Sequence, residues 1–185
     1  MKKIIYFIEF ILIKILFFIF KFIGYKFSSN LGFLIGVFFG PLIKPKKQII
    51  KNLEKANIQK PQNLKKIASN VLGNYGRILA EYVHLEDFRN DKLRKYISIE
   101  GLEHLYYLKK SKKKAVFISG HFNNFELMAM QIEKAGIELA AIYRPLNNVF
   151  LNKTMEKIRI ENICKNQIKK GRAGSREIIK NVKSG

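Results

Sequence analysis

Cysteine, tryptophan and proline are scarce in this chain. Its 185 residues include one cysteine, Cys164, four prolines and no tryptophan. A single cysteine excludes an internal disulfide bond and any metal site built from four thiolates. We therefore predict that Cys164 is a packing residue, and we assign no residue of the chain to a metal site.

Acidic residues are also few. The chain has 14 Asp and Glu residues against 35 Lys and Arg residues, which gives a formal net charge of +21. Such an excess requires an acidic partner, such as anionic lipid, a phosphorylated substrate or nucleic acid. The basic residues are spread along the chain and form no nucleic-acid recognition motif, so we predict no nucleic-acid partner. An anionic membrane lipid is an expected partner.

Apolar residues are abundant, at 48% of the chain, and are most concentrated near the N-terminus. Residues 4–23 contain seventeen apolar side chains and three charged ones. About 20 apolar residues suffice to cross a bilayer, so residues 1–26 are predicted to be a membrane anchor helix. Because Lys3, Lys14 and Lys21 fall on nearly one face of a helix, an amphipathic helix in the plane of the membrane is the alternative.

A second apolar stretch runs from Leu31 to Ile43. With thirteen residues, it is too short to span a bilayer as a helix. Gly32, Gly36 and Gly40 recur at every fourth position, a pattern that lets helices approach closely. We expect this stretch to form a helix that packs on the anchor or on the core.

The rest of the chain divides into two further segments. Residues 27–60 are predicted to be apolar and basic helices near the membrane, with a basic helix from Lys46 to Asn57. Residues 61–185 are predicted to form the main domain. Lysines are more numerous after the first apolar segment than before it, which by the positive-inside rule locates this domain in the cytoplasm.

The main domain shows alternating helical and strand patterns, which predict an α/β fold in which helices cover a sheet. Helical spacing predicts four helices, Leu64–Val83, Gly101–Leu108, Phe125–Ala135 and Val149–Asn162. Alternation and short apolar runs predict three strands, residues 95–100, Ala115–Ser119 and Ile137–Tyr143.

The clearest candidate for chemistry follows the predicted strand Ala115–Ser119. His121 comes two residues after this strand, and Glu126 falls in the first turn of the next helix, which Asn123 or Asn124 is predicted to cap. A histidine in the turn and a glutamate in the first helical turn can converge. A neutral imidazole held by a carboxylate is a general base that can take a proton from a hydroxyl.

Further basic residues follow along the chain. Arg144 follows a predicted strand, and Arg159 lies in the next predicted helix. The basic loop of residues 169–177 contains Gly171 and Arg172 and leads into a helix that Ser175 is predicted to cap. Backbone N–H groups at a helix start with arginines nearby can bind a phosphate, and an ordinary solvated basic turn is the alternative.

These residues occur in a recognisable order. The chain resembles the late lipid A biosynthesis acyltransferases, the lauroyl and myristoyl transferase family, whose signature is H-x-x-x-x-D/E after a strand. The residues that carry the resemblance are Asn52-Leu53, Gly76-Arg77 with Glu81, Gly120-His121-Phe122-Asn123-Asn124-Phe125-Glu126, Tyr143-Arg144-Pro145-Leu146-Asn147-Asn148, Arg159, and the loop from Gly171 to Glu177.

The resemblance implies a fold of the glycerolipid-acyltransferase type, with a mixed sheet, and a catalytic domain that faces the cytoplasm at the bacterial inner membrane. It implies transfer of a fatty acyl chain from acyl carrier protein to a hydroxyl of a lipid A precursor, with no bound cofactor. His121 would be the general base and Glu126 its carboxylate partner. The residues implied in substrate binding are Arg144, Arg159, Asn123, Asn124, Gly171 and Arg172.

Family members continue well beyond the position that corresponds to Gly185, so the resemblance also implies that the C-terminal part of the fold is missing. Two rival functions stay open. One is a lysophospholipid or glycerophosphate acyltransferase, which shares an H-x-x-x-x-D pattern. The other is an inactive, membrane-tethered basic binding module.

Overall fold

A computed structural model describes residues 2–56 and 61–184. The helices of these residues are α1 (Lys2–Ile23), α2 (Tyr25–Ile43), α3 (Lys46–Lys55), α4 (Pro61–Glu81), α5 (Leu85–Arg89), α6 (Leu102–Ser111), α7 (Glu126–Lys134), α8 (Val149–Asn162) and α9 (Arg172–Ser184). Short 3-10 turns occur at Tyr82–His84 and Arg94–Tyr96, and the strands are β1 (Ala140–Tyr143) and β2 (Asn166–Lys169).

The chain forms two compact units. One comprises the residues up to Ile13 together with those from Leu85 onward, and the other comprises Lys14–His84, so α1 contributes to both. We refer to them as the sheet unit and the helical unit.

The helical unit is built on a close contact between α2 and α4. A Cβ atom added at Gly36 would lie 2.3 Å from the carbonyl oxygen of Leu72, and one added at Gly76 would lie 2.1 Å from the carbonyl oxygen of Gly32. These distances are shorter than non-bonded contacts between a carbon and an oxygen atom in real proteins. Only glycine therefore lets the two helix backbones approach this far.

Polar side chains are buried where α2 begins and α4 ends. The Ser28 hydroxyl lies 3.0 Å from His84 Nε2, and Ser29 Oγ donates to Glu81 Oε1 at 2.8 Å. All four residues are buried. Because buried polar groups are costly without partners, these paired contacts specify how α2 packs on α4.

Helix α3 covers another part of α4. Ile49 of α3 packs with Ala68 and Leu72 of α4 in a small apolar core, and Lys46 Nζ donates to Ser69 Oγ at 3.2 Å. The basic helix predicted from Lys46 is confirmed, and its predicted end, Asn57, lies outside the described residues.

The sheet unit contains a parallel pair of strands joined by a helix. Within the described residues, β1 pairs only with β2, from Ala140 opposite Asn166 to Tyr143 opposite Lys169. Helix α8 forms the crossover between them, as parallel strands require. The α/β prediction is confirmed at this level, although the described sheet is a parallel pair rather than a mixed sheet.

Several predicted elements agree with the structure. The helix Val149–Asn162 has the predicted bounds, and the helices predicted at Phe125–Ala135 and Gly101–Leu108 are α7 and α6. The predicted helix Leu64–Val83 is α4, which starts at Pro61. The strand predicted at Ile137–Tyr143 is present in its second half as β1.

Two predicted strands are wrong. Residues 113–120 have no regular structure, and Val116 and Ile118 within them are 81% and 92% exposed. An apolar run becomes a strand only when a neighbouring strand completes its hydrogen bonds, and no strand of the described residues pairs with this run. Residues 95–100 instead begin inside the 3-10 turn Arg94–Tyr96, and residues 97–99 have no regular structure.

The predicted cap of the last helix is also wrong. Helix α9 begins at Arg172, so Ser175 lies inside its first turn and its hydroxyl donates to the Gly171 carbonyl oxygen at 3.2 Å. Gly171 has a φ of +146°, a conformation that glycine adopts without strain. Because the chain turns at Gly171, α9 begins at Arg172, three residues before the serine that was predicted to cap it.

The membrane segments require a correction. Helix α2 begins at Tyr25, not near Leu31, and its 19 residues are long and apolar enough to cross a membrane by length and composition. The prediction that this stretch is too short was wrong because residues 25–30 continue the helix. Helix α1, the predicted anchor, is long enough to cross a membrane. Its apolar part contains three charged residues, however, and by composition it does not qualify as a spanning helix as α2 does.

The glycine contact between α2 and α4 leads to a stability prediction. Alanine is favoured over glycine in a helix by about 1 kcal/mol. We nevertheless expect Gly36→Ala to lower the free energy of unfolding by about 1–3 kcal/mol, because the new methyl group overlaps the backbone of α4. Urea unfolding of the detergent-solubilised protein measures this difference.

The matched control is Asn30→Ala, at an exposed position of the same helix. We expect it to change the free energy of unfolding by less than about 0.5 kcal/mol. An unchanged or increased stability of Gly36→Ala would contradict the close contact.

Candidate active site

His121 is exposed and lies in the irregular segment before α7. Its imidazole ring is tilted over the ring of Phe125, with 4.3 Å between the ring centroids. Between them, Asn123 has a φ of +46°, and its carbonyl oxygen accepts a hydrogen bond from Phe125 N at 3.0 Å. This turn brings the histidine back towards the start of α7.

Glu126 is the first residue of α7 and is 7% exposed. Arg159 Nε of α8 donates to Glu126 Oε1 at 2.8 Å. A carboxylate in the first turn of a helix is also favoured by the helix dipole. The buried Glu126 carboxylate thus has the Arg159 guanidinium beside it and lies at the N-terminus of α7, the end of a helix that favours an anion.

Arg159 contacts two elements at once. Besides the ion pair with Glu126, its guanidinium lies 5.6 Å from the centroid of the Tyr143 ring at the end of β1. Arginine stacks on aromatic faces while its N–H groups bind carboxylates. Arg159 therefore joins α7, α8 and β1 at one point.

Neither asparagine caps α7 with its side chain. The residue before the helix is Phe125, no side-chain cap is present, and Leu127 N donates to the Asn124 carbonyl oxygen at 3.1 Å. The predicted cap by Asn123 or Asn124 is therefore wrong. The left-handed turn at Asn123 directs the chain into the helix through backbone hydrogen bonds instead.

A cavity of about 460 Å³ lies at the carboxyl ends of β1 and β2. Lys169 at the end of β2 pairs with Glu156 of α8 at 3.2 Å. The predicted anion-binding residues Gly171 and Arg172 are in its wall. The lining residues are Glu156, Gln167, Lys169, Lys170, Gly171, Arg172, Ala173, Gly174 and Glu177.

Tyr143 lies beside the lysine and glutamate of this cavity. It is 8% exposed, and its hydroxyl interacts with the Glu156 carboxylate and the Lys169 ammonium group. Burial raises the pKa of Tyr143, and the Glu156 carboxylate raises it further. The hydroxyl therefore keeps its proton at neutral pH and can donate it to an acceptor.

The cavity pair itself is charged. Burial acts to raise the pKa of Glu156, but its neighbours Tyr143 and Lys169 outweigh burial and hold that pKa below its usual range. The Glu156 carboxylate in turn raises the pKa of Lys169. At neutral pH the cavity thus contains an ion pair and the additional cations Lys170 and Arg172.

The other predicted residues are more dispersed. Arg144 follows β1 directly and is exposed, and Asn123 is exposed as well. Cys164 is buried, and burial raises the pKa of its thiol, so a thiolate is disfavoured at neutral pH. The fold brings Glu126 together with Arg159, and it places Gly171 and Arg172 in the wall of the separate cavity.

Asn148 has a function that the sequence did not reveal. It is 6% exposed, and its Oδ1 caps α8 by accepting from Phe150 N and Leu151 N, each at 3.1 Å. Its Nδ2 donates to the Tyr6 carbonyl oxygen at 2.8 Å and to Glu9 Oε2 at 3.0 Å. Asn148 therefore attaches the first part of α1 to the loop after β1.

This contact explains why a glutamate occurs in an apolar helix. Glu9 meets an amide donor, and the rings of Phe7 and Phe150 pack edge to face nearby, with centroids 5.7 Å apart. An asparagine before a helix is a signal for a cap. No signal in the sequence connects residue 148 with residue 9.

Comparison with known proteins identifies the class. The model of one protein family, described as bacterial lipid A biosynthesis acyltransferase, matches residues 1–185. The chain therefore belongs to the bacterial lipid A biosynthesis acyltransferases, as the H-x-x-x-x-E and Tyr143–Asn148 motifs predicted. It is an acyltransferase of a membrane-associated family. No curated protein and no solved structure matches it.

Proposed function

We propose that this acyltransferase moves a fatty acyl chain from acyl carrier protein to a hydroxyl of a lipid A precursor at the cytoplasmic face of the inner membrane. The observation that carries the proposal is the family match, together with an exposed histidine five residues before a buried, paired glutamate. The sheet unit would then be part of a fold of the glycerolipid-acyltransferase type.

In the proposed reaction the acceptor hydroxyl is the nucleophile. Its oxygen attacks the thioester carbonyl carbon while His121 takes its proton, and collapse of the tetrahedral intermediate expels the carrier thiolate. The imidazolium then returns the proton to this leaving group. No covalent enzyme intermediate is needed, so Cys164 has no part in the chemistry.

Glu126 would hold the imidazole and stabilise the imidazolium, as the carboxylate does in a catalytic triad. Its pairing with Arg159 is compatible with this function, because an ionised carboxylate has two oxygens and about four acceptor positions. Arg159 orients the glutamate through the Nε–Oε1 hydrogen bond. Arg144, Asn123 and Asn124 would contact the substrates from the neighbouring loops.

The functional test compares acceptors. The purified protein is incubated with an acyl carrier protein thioester and either a lipid A precursor or lysophosphatidic acid. We expect acylation of the lipid A precursor only, and we expect His121→Ala to lower its rate by about 10²–10⁴-fold, the usual contribution of a general base.

His104→Ala is the matched control, because His104 is also an exposed histidine, and it should retain the wild-type rate. Acylation of lysophosphatidic acid alone would assign the protein to the glycerolipid enzymes. An unchanged rate of His121→Ala would contradict the general-base mechanism.

We also propose that the cavity at the strand ends binds a phosphate of the acceptor. Lys170, Arg172 and the backbone at the start of α9 offer donors. The two carboxylates in the wall oppose an anion, but Glu156 is already paired with Lys169. The cavity wall has a net positive charge, because it contains three cations and two carboxylates: Lys169, Lys170, Arg172, Glu156 and Glu177.

We expect Arg172→Ala to raise the KM for the lipid acceptor about tenfold with little change in kcat, because a charged hydrogen bond contributes about 1.5–3 kcal/mol. Initial rates at varied acceptor concentration measure this. Arg176→Ala removes an exposed arginine that lies outside the cavity wall and should leave the KM unchanged. Equal effects of the two substitutions would contradict a specific phosphate site.

A further inference from the structure

Helix α2 has two faces of different character within the helical unit. Its buried face is formed by small residues, Ser28, Ser29, Gly32 and Gly36. The opposite face carries large apolar side chains three or four residues apart, all of them exposed: Phe27, Leu31, Leu34, Phe38 and Leu42. The helix therefore presents a continuous apolar stripe to its surroundings.

The buried face is attached to α4 along most of the length of α2. Ser29 binds Glu81 near the start of α2, and Gly40 lies against Leu72 near its end. The two helices run antiparallel and their backbones touch between these points. Helix α2 cannot move into a membrane by itself without breaking these contacts and exposing Glu81.

Helix α4 is too polar to accompany α2 across a bilayer. Its exposed residues include Asn63, Lys65, Lys66 and Asn70, and Arg77 lies in the half nearer its end. Lysine and arginine inside the hydrocarbon are strongly unfavourable. Because Gly40 of α2 lies against Leu72 of α4 and Gly32 lies against Gly76, a spanning α2 would carry Arg77 and Glu81 into the bilayer, whereas Asn63, Lys65 and Lys66 lie beyond the end of α2.

Positive charge occurs at both ends of α2. Lys21 and Lys26 are near its start, and Lys44, Lys46 and Lys47 follow its end. Spanning helices usually carry an excess of Lys and Arg on their cytoplasmic side. Lysines at both ends are expected when both ends lie on the same side of the membrane.

The neighbouring helix α3 adds to this charge. Lys47, Lys51 and Lys55 recur at every fourth position on its exposed face, while Ile49 packs on α4. A row of exposed lysines on a helix next to α2 in sequence is complementary to the headgroups of an anionic bilayer.

We propose that α2 does not cross the membrane but lies in its plane, in the boundary between headgroups and acyl chains of one anionic leaflet. The apolar stripe enters the leaflet, and α4 stays on the water side. The length and composition of α2 suit a spanning helix, but its packing against the polar helix α4 does not. This inference concerns membrane geometry and is independent of which lipid the enzyme acylates.

Single-cysteine labelling tests the proposal, because Cys164 is the one native cysteine. Lys26→Cys and Lys44→Cys are made separately in the full chain with Cys164→Ala, and also in the wild-type background, where Cys164 is 1% exposed. Sealed inner-membrane vesicles are treated with a membrane-impermeant maleimide before and after permeabilisation.

We expect the two positions to label on the same side. If one reacts before permeabilisation and the other only after it, α2 crosses the bilayer and the proposal is overturned. The wild-type protein, labelled in parallel, gives the background from Cys164.

Depth measurements provide a second readout. An environment-sensitive fluorophore is attached to cysteines at positions 27, 34 and 42 and quenched by lipids labelled at different depths, in vesicles that contain anionic phospholipid. An in-plane helix gives similar, shallow depths of about 5–10 Å at all three positions. Position 34 at the bilayer centre with 27 and 42 at opposite surfaces would overturn the proposal. Position 70 on α4 is the control and should show no quenching by deep labels.

Discussion

The candidate site depends on one buried ion pair. Glu126 starts α7 with its carboxylate out of water, and such a charge is tolerated only where a cation and hydrogen bonds replace the solvent. Arg159 supplies both and also lies against the ring of Tyr143. One guanidinium thus connects the helix after His121, the crossover helix and the sheet.

This arrangement changes the interpretation of the arginine. From the sequence, Arg159 was expected to receive negative charge from the substrate. In the structure its Nε is directed to a carboxylate of the protein, so Arg159 orients the site and need not touch the lipid. A catalytic carboxylate held by a neighbour is more precisely oriented than one held by solvent, and orientation is a large part of catalysis. Phosphate binding then falls to other cations, such as those at the strand ends.

Much of the fold was predictable from the sequence because the evidence is local. Helical periodicity defined α7 and α8 almost to the residue, and the glycines at every fourth position indicated the close packing of α2. The motif around His121 and the Tyr143–Asn148 loop identify the family from the sequence alone. These features depend on residues near one another in the chain.

The features that were missed depend on distant residues. Whether Ala115–Ser119 becomes a strand depends on a neighbour strand that local pattern does not reveal. The contact of Asn148 with Glu9 joins residues far apart in sequence, and the burial of Tyr143 beside Glu156 and Lys169 requires the strand register. Similarly, the apolar length of α2 indicates a membrane but not how the helix lies in it.

The central claim is that Glu126 and Arg159 act as one ion pair that organises the site. A double-mutant cycle with Glu126→Gln and Arg159→Gln, followed by urea unfolding, tests it most directly. Each single change should lower the free energy of unfolding by about 3 kcal/mol, because it leaves the other charge buried and uncompensated. The double variant should lose less than the sum by at least about 1.5 kcal/mol. Losses that add to within about 0.5 kcal/mol would show that the two residues are independent and would contradict the account.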